Sequence, residues 1–189
     1  MVFEKRSPQH QAMRRLAHHL ENVGIPYATM GAMAVTCHGA TRTTDDVEIL
    51  LTRNGLERFR DELVPGLYSP VEGHPRRFED RKSGVRIEFF VTGHFPGRRG
   101  PGPIAFPDPT LVSQEVEKVR VLTLPQLIQL KLAARRYYDL GDVVSLVRAH
   151  SLDESYLPHL PQSVHRDFIE CLEEKRHEDE YEARENESP

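Results

Sequence analysis

Asp46-Val47-Glu48 is the segment of the chain whose residue types and spacing point most directly to chemistry. In an extended strand, residues two apart share a face about 6.5–7 Å apart, so both carboxylates point one way and Val47 and Ile49 the other. Side-by-side burial of two carboxylates costs several kcal/mol through repulsion and desolvation unless a cation stands between them. Hard oxygen ligands without a thiolate cage favour Mg²⁺ or Mn²⁺ over zinc. Glu88, within the β-type run Arg86 to Val91, completes a three-carboxylate cluster if its strand pairs with that of Asp46. The competing reading makes Asp46 and Glu48 the solvated face of an edge strand, since such alternation is common. Gly31 stands at an expected strand-to-helix turn upstream, where a helix N-terminus and a residue without a side chain make an anion site. Metal-binding carboxylates near a phosphate-binding turn describe nucleotide chemistry.

The elements that must position these residues are read from periodicity. Ser7-Pro8 reads as an N-cap with proline in the first turn, and Ala12, Met13, Leu16, Ala17 and Leu20 recur at helical spacing. Ile25 to Thr29 is a short strand before Gly31, and Met33 to Cys37 a short helix. Asp46 to Leu51 is a strand, and Asn54 opens a helix carrying Leu56, Phe59 and Leu63. Four glycines and five prolines between residues 93 and 109 exclude a ladder or helix interior, so this stretch is a loop. Val119 to Leu122 reads as a last edge strand. Thr123-x-x-Gln126 and Ser151-x-x-Glu154 read as capping boxes, and Asp139 as the start of the helix between them. The fold class is α/β (α+β): a small mixed β-sheet flanked by helices over residues 1–122, a helical C-terminal subregion over 123–172, and an acidic end over 173–189 expected to be frayed or disordered.

Composition narrows the function classes. The chain has 189 residues and a formal charge of -4, so it lacks the general basicity of nucleic-acid packaging proteins. Nine acidic and three basic residues lie from Glu170 onward, which leaves the body close to neutral. Two cysteines without a CxxC pair, Cys37 and Cys171, build neither a disulfide framework nor a zinc site, and a reducing cytoplasm is the expected compartment. Hydrophobic runs are short and no signal peptide is evident, so no membrane association is expected. Cys37-His38 is not a nucleophile pair, because adjacent helical residues point apart and no orienting acid is evident.

The sequence resembles the nucleotidyltransferase superfamily with the DNA polymerase β-like fold. The pattern is carried by Met30-Gly31-Ala32, thirteen residues, Asp46-Val47-Glu48-Ile49 and then Ile87-Glu88-Phe89. The family has Gly or Ser where this chain has Ala32, and more often Asp where it has Glu48. The run His38-Gly39-Ala40-Thr41-Arg42-Thr43-Thr44-Asp45-Asp46-Val47-Glu48 looks like the AbiEii-type and minimal members, as does a later helical motif with Lys131 and Asp139-x-x-Asp142. The resemblance reaches from about Gly24 to Leu146. It implies transfer of a nucleoside monophosphate from an NTP to a hydroxyl with release of pyrophosphate, by a two-metal mechanism. Asp46, Glu48 and Glu88 would hold the ions, and Gly31, Ala32, Arg42, Thr44, Lys131, Asp139 and Asp142 would serve the nucleotide. It further implies a toxin-type enzyme with tRNA as one acceptor and a neighbouring antitoxin as a partner; DNA is not expected.

Several of these residues have simpler readings. Arg42 contacts a phosphate or pairs with Asp45. Lys131 reaches the triphosphate or is a solvated helix lysine. Asp139 and Asp142 serve the nucleotide or are an N-cap and N3 pair. Arg98 and Arg99, with Arg76, Arg77, Arg81 and Lys82, guide an RNA backbone or are simply solvated. The acceptor is open between an RNA end, a protein side chain and a small molecule such as an aminoglycoside. The alternative to an enzyme is a catalytically weak or inactive module that keeps the fold and binds nucleotide or a protein partner, motivated by Ala32 and the acidic end.

Overall fold

The computed structural model describes residues 7–97 and 101–187. Helix α1 (Pro8–Asn22) begins as the sequence predicts: Ser7 Oγ accepts from the His10 N–H at 3.3 Å, proline occupies the first turn, and Ala12, Met13, Leu16, Ala17 and Leu20 are buried. After β1 (Tyr27–Thr29) and α2 (Gly31–Cys37), β2 (Asp46–Leu51) leads into α3 (Arg53–Glu62). The helix starts one residue before Asn54, because Thr52 Oγ1 accepts from Gly55 N–H at 3.0 Å and serves as its cap. β3 (Tyr68–Val71) and β4 (His74–Asp80) form a hairpin that periodicity does not announce. β5 (Arg86–Val91) follows, then the Gly/Pro loop, α4 (Pro109–Val112), β6 (Ser113–Val116) and β7 (Val119–Leu122).

The seven strands form one mixed sheet in the order β3-β4-β5-β2-β1-β7-β6. β2 and β5 run parallel with Asp46 beside Arg86, Glu48 beside Glu88 and Leu50 beside Phe90. β7 is therefore not an edge: it pairs with β1 on one side and with β6 on the other. One sheet face carries Val47, Ile49 and Leu51 beside Ile87, Phe89 and Val91, all buried. Helices α1 and α3 cover it, with Phe59 of α3 packed on Phe89, Phe78 and Tyr68 at ring-centroid distances of 4.5, 5.1 and 5.0 Å. The other face carries Asp46, Glu48 and Glu88 toward α5 (Leu124–Ala134) and α6 (Tyr137–His150).

Neither capping box forms. Thr123 caps α5, but its N–H is bonded to the Val112 carbonyl at 2.9 Å and the Gln126 amide oxygen accepts from Gln129. Ser151 instead ends α6 in the left-handed region (φ 51°), and Asp153 caps the 3₁₀ helix Glu154–His159 by accepting from the Ser155 N–H at 2.8 Å. The start of α6 also shifts: Arg136 is its N-cap, so Asp139 lies inside the first turn and Asp142 a turn further in. The acidic end, expected to fray, continues as helix α7 (His165–Glu187). Arg148 of α6 reaches Glu178 and Asp179 at 2.9 and 3.0 Å, and Lys175 pairs with Asp179 at 2.6 Å one turn away within α7, so the charges of this stretch are paired along the helix and across to α6. Arg98 and Arg99 lie outside the described residues. Among the described residues, no helix is long and apolar enough to cross a membrane.

Candidate active site

Strand alternation on β2 puts Asp46 and Glu48 on the face opposite the apolar core, and the parallel register sets Glu88 directly across from Glu48. Thr44 fixes the start of this strand: its hydroxyl lies 3.0 Å from both the backbone and the side-chain oxygen of Asp46. Glu48 is the most constrained of the three. Its carboxylate lies so close to Gly31 that a Cβ there would stand 1.5 Å from Oε2, and Gly31 also has φ +62°. The glycine is thus required twice, by backbone conformation and by the side chain pressed against it. Burial pushes the Glu48 carboxyl up to about 7; the charges of Asp46 and Glu88 add to the rise, and Lys131 and Arg136 oppose it.

Glu48 separates two clefts. The first, about 400 Å³, is lined by polar residues, with Asp46 and Glu48 on its floor and Arg42, Thr43, Thr44, Lys131, Arg136 and Asp142 around it. The second, about 340 Å³, is lined by Glu88, Arg76 and Arg77 together with Phe90, Phe106, Leu127 and Leu130. Glu48, Lys131, Arg136 and Asp139 border both.

A buried ion network spans the first cleft. Lys131 is 7% exposed and pairs with Asp142 at 2.6 Å and Asp139 at 3.5 Å, so it is not a solvated helix lysine. Asp142 also pairs with Arg42 at 2.9 Å, which replaces the Arg42–Asp45 pair considered from sequence. Arg136 clamps Asp139 through two nitrogens at 2.6 and 3.2 Å, and that hydrogen bonding raises its own pKa. Asp139 and Asp142 are thus buried anchors for three cations, not a cap pair on a solvated helix end. Arg42 further stands over the exposed ring of Tyr138, with its guanidinium carbon 5.9 Å from the centroid.

Of the residues singled out from sequence, Ala32, Arg42, Thr44, Asp46, Glu48, Lys131, Asp139 and Asp142 all line the first cleft. Gly31 and Glu88 line the second. Arg77 holds Glu88 at 3.3 Å, and β4, which carries Arg77, is the strand beside it. Ala32 turns a methyl toward the first cleft where the family pattern has Gly or Ser. Sequence reasoning missed Arg136, which borders both clefts, and also Arg86 and Tyr138. The one signal for Arg136 was its place in an Arg-Arg pair where the helical periodicity breaks. Of the four described basic residues considered as an RNA path, Arg76 and Arg77 line the second cleft, while Arg81 donates to the Tyr68 carbonyl at 3.0 Å.

Asp46 and Glu48 fit a hard divalent ion: both are oxygen donors on one face, and the Glu48 carboxyl, raised first by burial and then by the charge of Asp46, would be stabilised as the anion by a bound cation. Their oxygens do not already form a cage. Among the described residues, no group of three or more His, Cys, Asp or Glu stands in metal-holding geometry, and Glu88 is engaged by Arg77. The thiols are no alternative, since burial pushes Cys37 up to about 12 and Cys171 up to about 11.

No protein-family model and no curated protein matches this sequence. Several solved structures are similar to this chain. One is an antigenic nucleotidyltransferase-like protein from Paracoccidioides brasiliensis, with 16% identity over 73% of this chain and 74% of that one and a TM-score of 0.48. Another is the Helicobacter pylori protein JHP933, with 14% identity over 80% and 70% of the two chains and a TM-score of 0.47. A third is the antibiotic-resistance factor ANT(2'')-Ia, with 13% identity over 88% and 89% and a TM-score of 0.41.

Proposed function

We propose that the protein transfers a nucleoside monophosphate from an NTP to a hydroxyl acceptor with release of pyrophosphate. The observation that carries this reading is the alignment of Asp46, Glu48 and Glu88 on adjacent parallel strands, with Asp46 and Glu48 in a cleft ringed by Arg42, Lys131 and Arg136 and Glu88 in the cleft next to it. Carboxylates and cations set so close together suit a ligand that brings both metal and phosphate. Asp46 and Glu48 would hold Mg²⁺ or Mn²⁺, with Glu88 joining once released from Arg77; bound metal neutralises the triphosphate and the leaving pyrophosphate.

The rest of the reading concerns the chain's own groups. Arg42, Lys131 and Arg136 bind phosphate oxygens in the first cleft, and Asp139 and Asp142 orient those cations from buried positions. The acceptor hydroxyl approaches from the second cleft, where Glu88 takes its proton. Its oxygen forms a bond to the α-phosphorus as the bond to the bridging oxygen of pyrophosphate breaks. Ala32 retains its backbone N–H but adds a methyl to the cleft wall, which favours, as a second reading, a module that binds nucleotide and turns over slowly. On the resemblance to AbiEii-type proteins, the proposal extends to tRNA as acceptor and to a toxin-type role with an antitoxin partner.

The test is incubation of the protein with Mg²⁺ or Mn²⁺, each α-labelled NTP and total cellular RNA, followed by separate nuclease and protease digestion. The expected result is covalent label that is lost in Asp46→Asn. Label unchanged in that variant overturns the metal-site assignment, and metal-dependent nucleotide binding without pyrophosphate release selects the binding module.

A further inference from the structure

The second cleft has a chemistry of its own that restricts the acceptor. Part of its wall is apolar, with Phe90 packed on Phe106 at a ring-centroid distance of 5.3 Å and Leu127 and Leu130 of α5 buried beside them; the rest is charged, with Glu48, Glu88 and Asp139 set among Arg76, Arg77, Lys131 and Arg136. The Gly/Pro loop brings Phe106 back to that position because its neck is closed by two backbone hydrogen bonds. Gly93 N–H donates to the Phe106 carbonyl at 2.8 Å, and Phe106 N–H donates to the His94 carbonyl at 2.7 Å. Phe95, 37% exposed, and Pro96 add to the wall.

The cations of this cleft are not equivalent. Lys131, Arg136 and Arg77 are paired with Asp142, Asp139 and Glu88. Arg76 contacts the His94 ring nitrogen at 3.1 Å and pairs with no carboxylate among the described residues. A guanidinium with no carboxylate partner among the described residues, beside the Phe90–Phe106 pair, suits an anionic group attached to a flat apolar body. A volume of about 340 Å³ suits a ligand of one or two rings. A polycationic acceptor such as an aminoglycoside would meet Arg76 as a like charge.

We propose that the second cleft is the acceptor subsite and selects an anionic hydroxyl compound with an aromatic or flat apolar face, read by Arg76 and the Phe90–Phe106 wall. This rests on the nucleotidyl-transfer reading for its role, but binding there needs neither NTP nor metal. The shared chemistry has two sources, a small aromatic acid or the terminal nucleotide of an RNA, and the test separates them.

The full chain, isotopically labelled for amide spectra, is titrated in the absence of NTP and metal with 4-hydroxyphenylacetate, with tyramine, and with the dinucleotide cytidylyl-adenosine. Tyramine carries the same phenol ring with the opposite charge. The expected result is that at least one anionic probe perturbs amides within 88–97 and 127–134 and binds at least about tenfold more tightly than tyramine, with that preference lost in Arg76→Gln. Binding of the acid assigns a small-molecule acceptor; binding of the dinucleotide alone assigns an RNA end. Equal binding of acid and amine, perturbation confined to the first cleft, or no binding of either anionic probe overturns the proposal. Failure of label transfer with this preference intact would remove the enzymatic reading and leave the subsite standing.

Discussion

The two faces of the β2–β5 strand pair differ by a single-residue alternation and do opposite things. Val47, Ile49 and Leu51 meet α1, α3 and a four-ring aromatic cluster, and every one is fully buried. Asp46, Glu48 and Glu88, one residue out of phase, meet two clefts and repel each other. The apolar face stabilises the protein, while the carboxylate face costs it stability in the absence of a cation. A site able to draw in a cation and polyphosphate is built on the side that the core does not need.

The largest expected effect lies on the apolar face. Phe59→Ala removes a ring that touches Tyr68, Phe78 and Phe89, and should cost about 3–5 kcal/mol in urea unfolding with no specific loss of nucleotide binding in the fraction still folded. Gly31→Ala strikes the junction between the faces: the left-handed φ and the overlap with Glu48 Oε2 should together cost ~2–3 kcal/mol and displace that carboxylate. A variant as stable as the parent would show that Glu48 is free to move aside.

Glu48→Gln should move stability the other way. Folded Glu48 keeps its proton to about pH 7, whereas an unfolded glutamate loses it near 4.5. Its contribution therefore falls as pH rises from 4.5 to 7 and is flat above. At pH 8 the metal-free variant should be more stable than the parent by ~2–3 kcal/mol, a gain that vanishes near pH 4.5, while transfer activity is lost. Added Mg²⁺ should raise the melting temperature of the parent at pH 8 and not that of the variant. Equal stability of the two proteins at pH 8 would break the contrast between the faces.

Lys131→Met should cost ~1–3 kcal/mol, because Asp139 and Asp142 remain buried but keep Arg136 and Arg42 as partners. The smallest effect belongs outside both faces. Arg148→Ala should leave global unfolding unchanged and speed amide exchange only in the last turns of α7.

The parts of the site legible in sequence were those carried by local pattern. Asp46 and Glu48 stand out because a period of two places both on one face, and Glu88 because it interrupts an apolar strand. The β3–β4 hairpin was not legible: Pro70 and Pro75 remove strand donors, and β4 shows burial only at Phe78 and Asp80 beyond half-buried arginines. With that hairpin went the fact that Arg77 stands beside Glu88. Capping boxes failed for a related reason, since Thr123 N–H finds a partner in Val112, eleven residues upstream, that no local rule includes.

By itself the sequence determined which residues face together along one strand or helix, because side-chain direction follows from backbone period. It therefore determined the Asp46–Glu48 pair, the buried stripe of α1 and the apolar inner face of β5. Only the tertiary structure decided that Lys131, Asp142 and Arg42 form one buried network, that Glu48 leans on Gly31, and that Arg136 stands between two clefts. Those contacts join separate segments of the chain; the charges of Lys131, Asp142 and Arg42 are tolerated because packing supplies each with a partner, and Glu48 is raised because packing buries it.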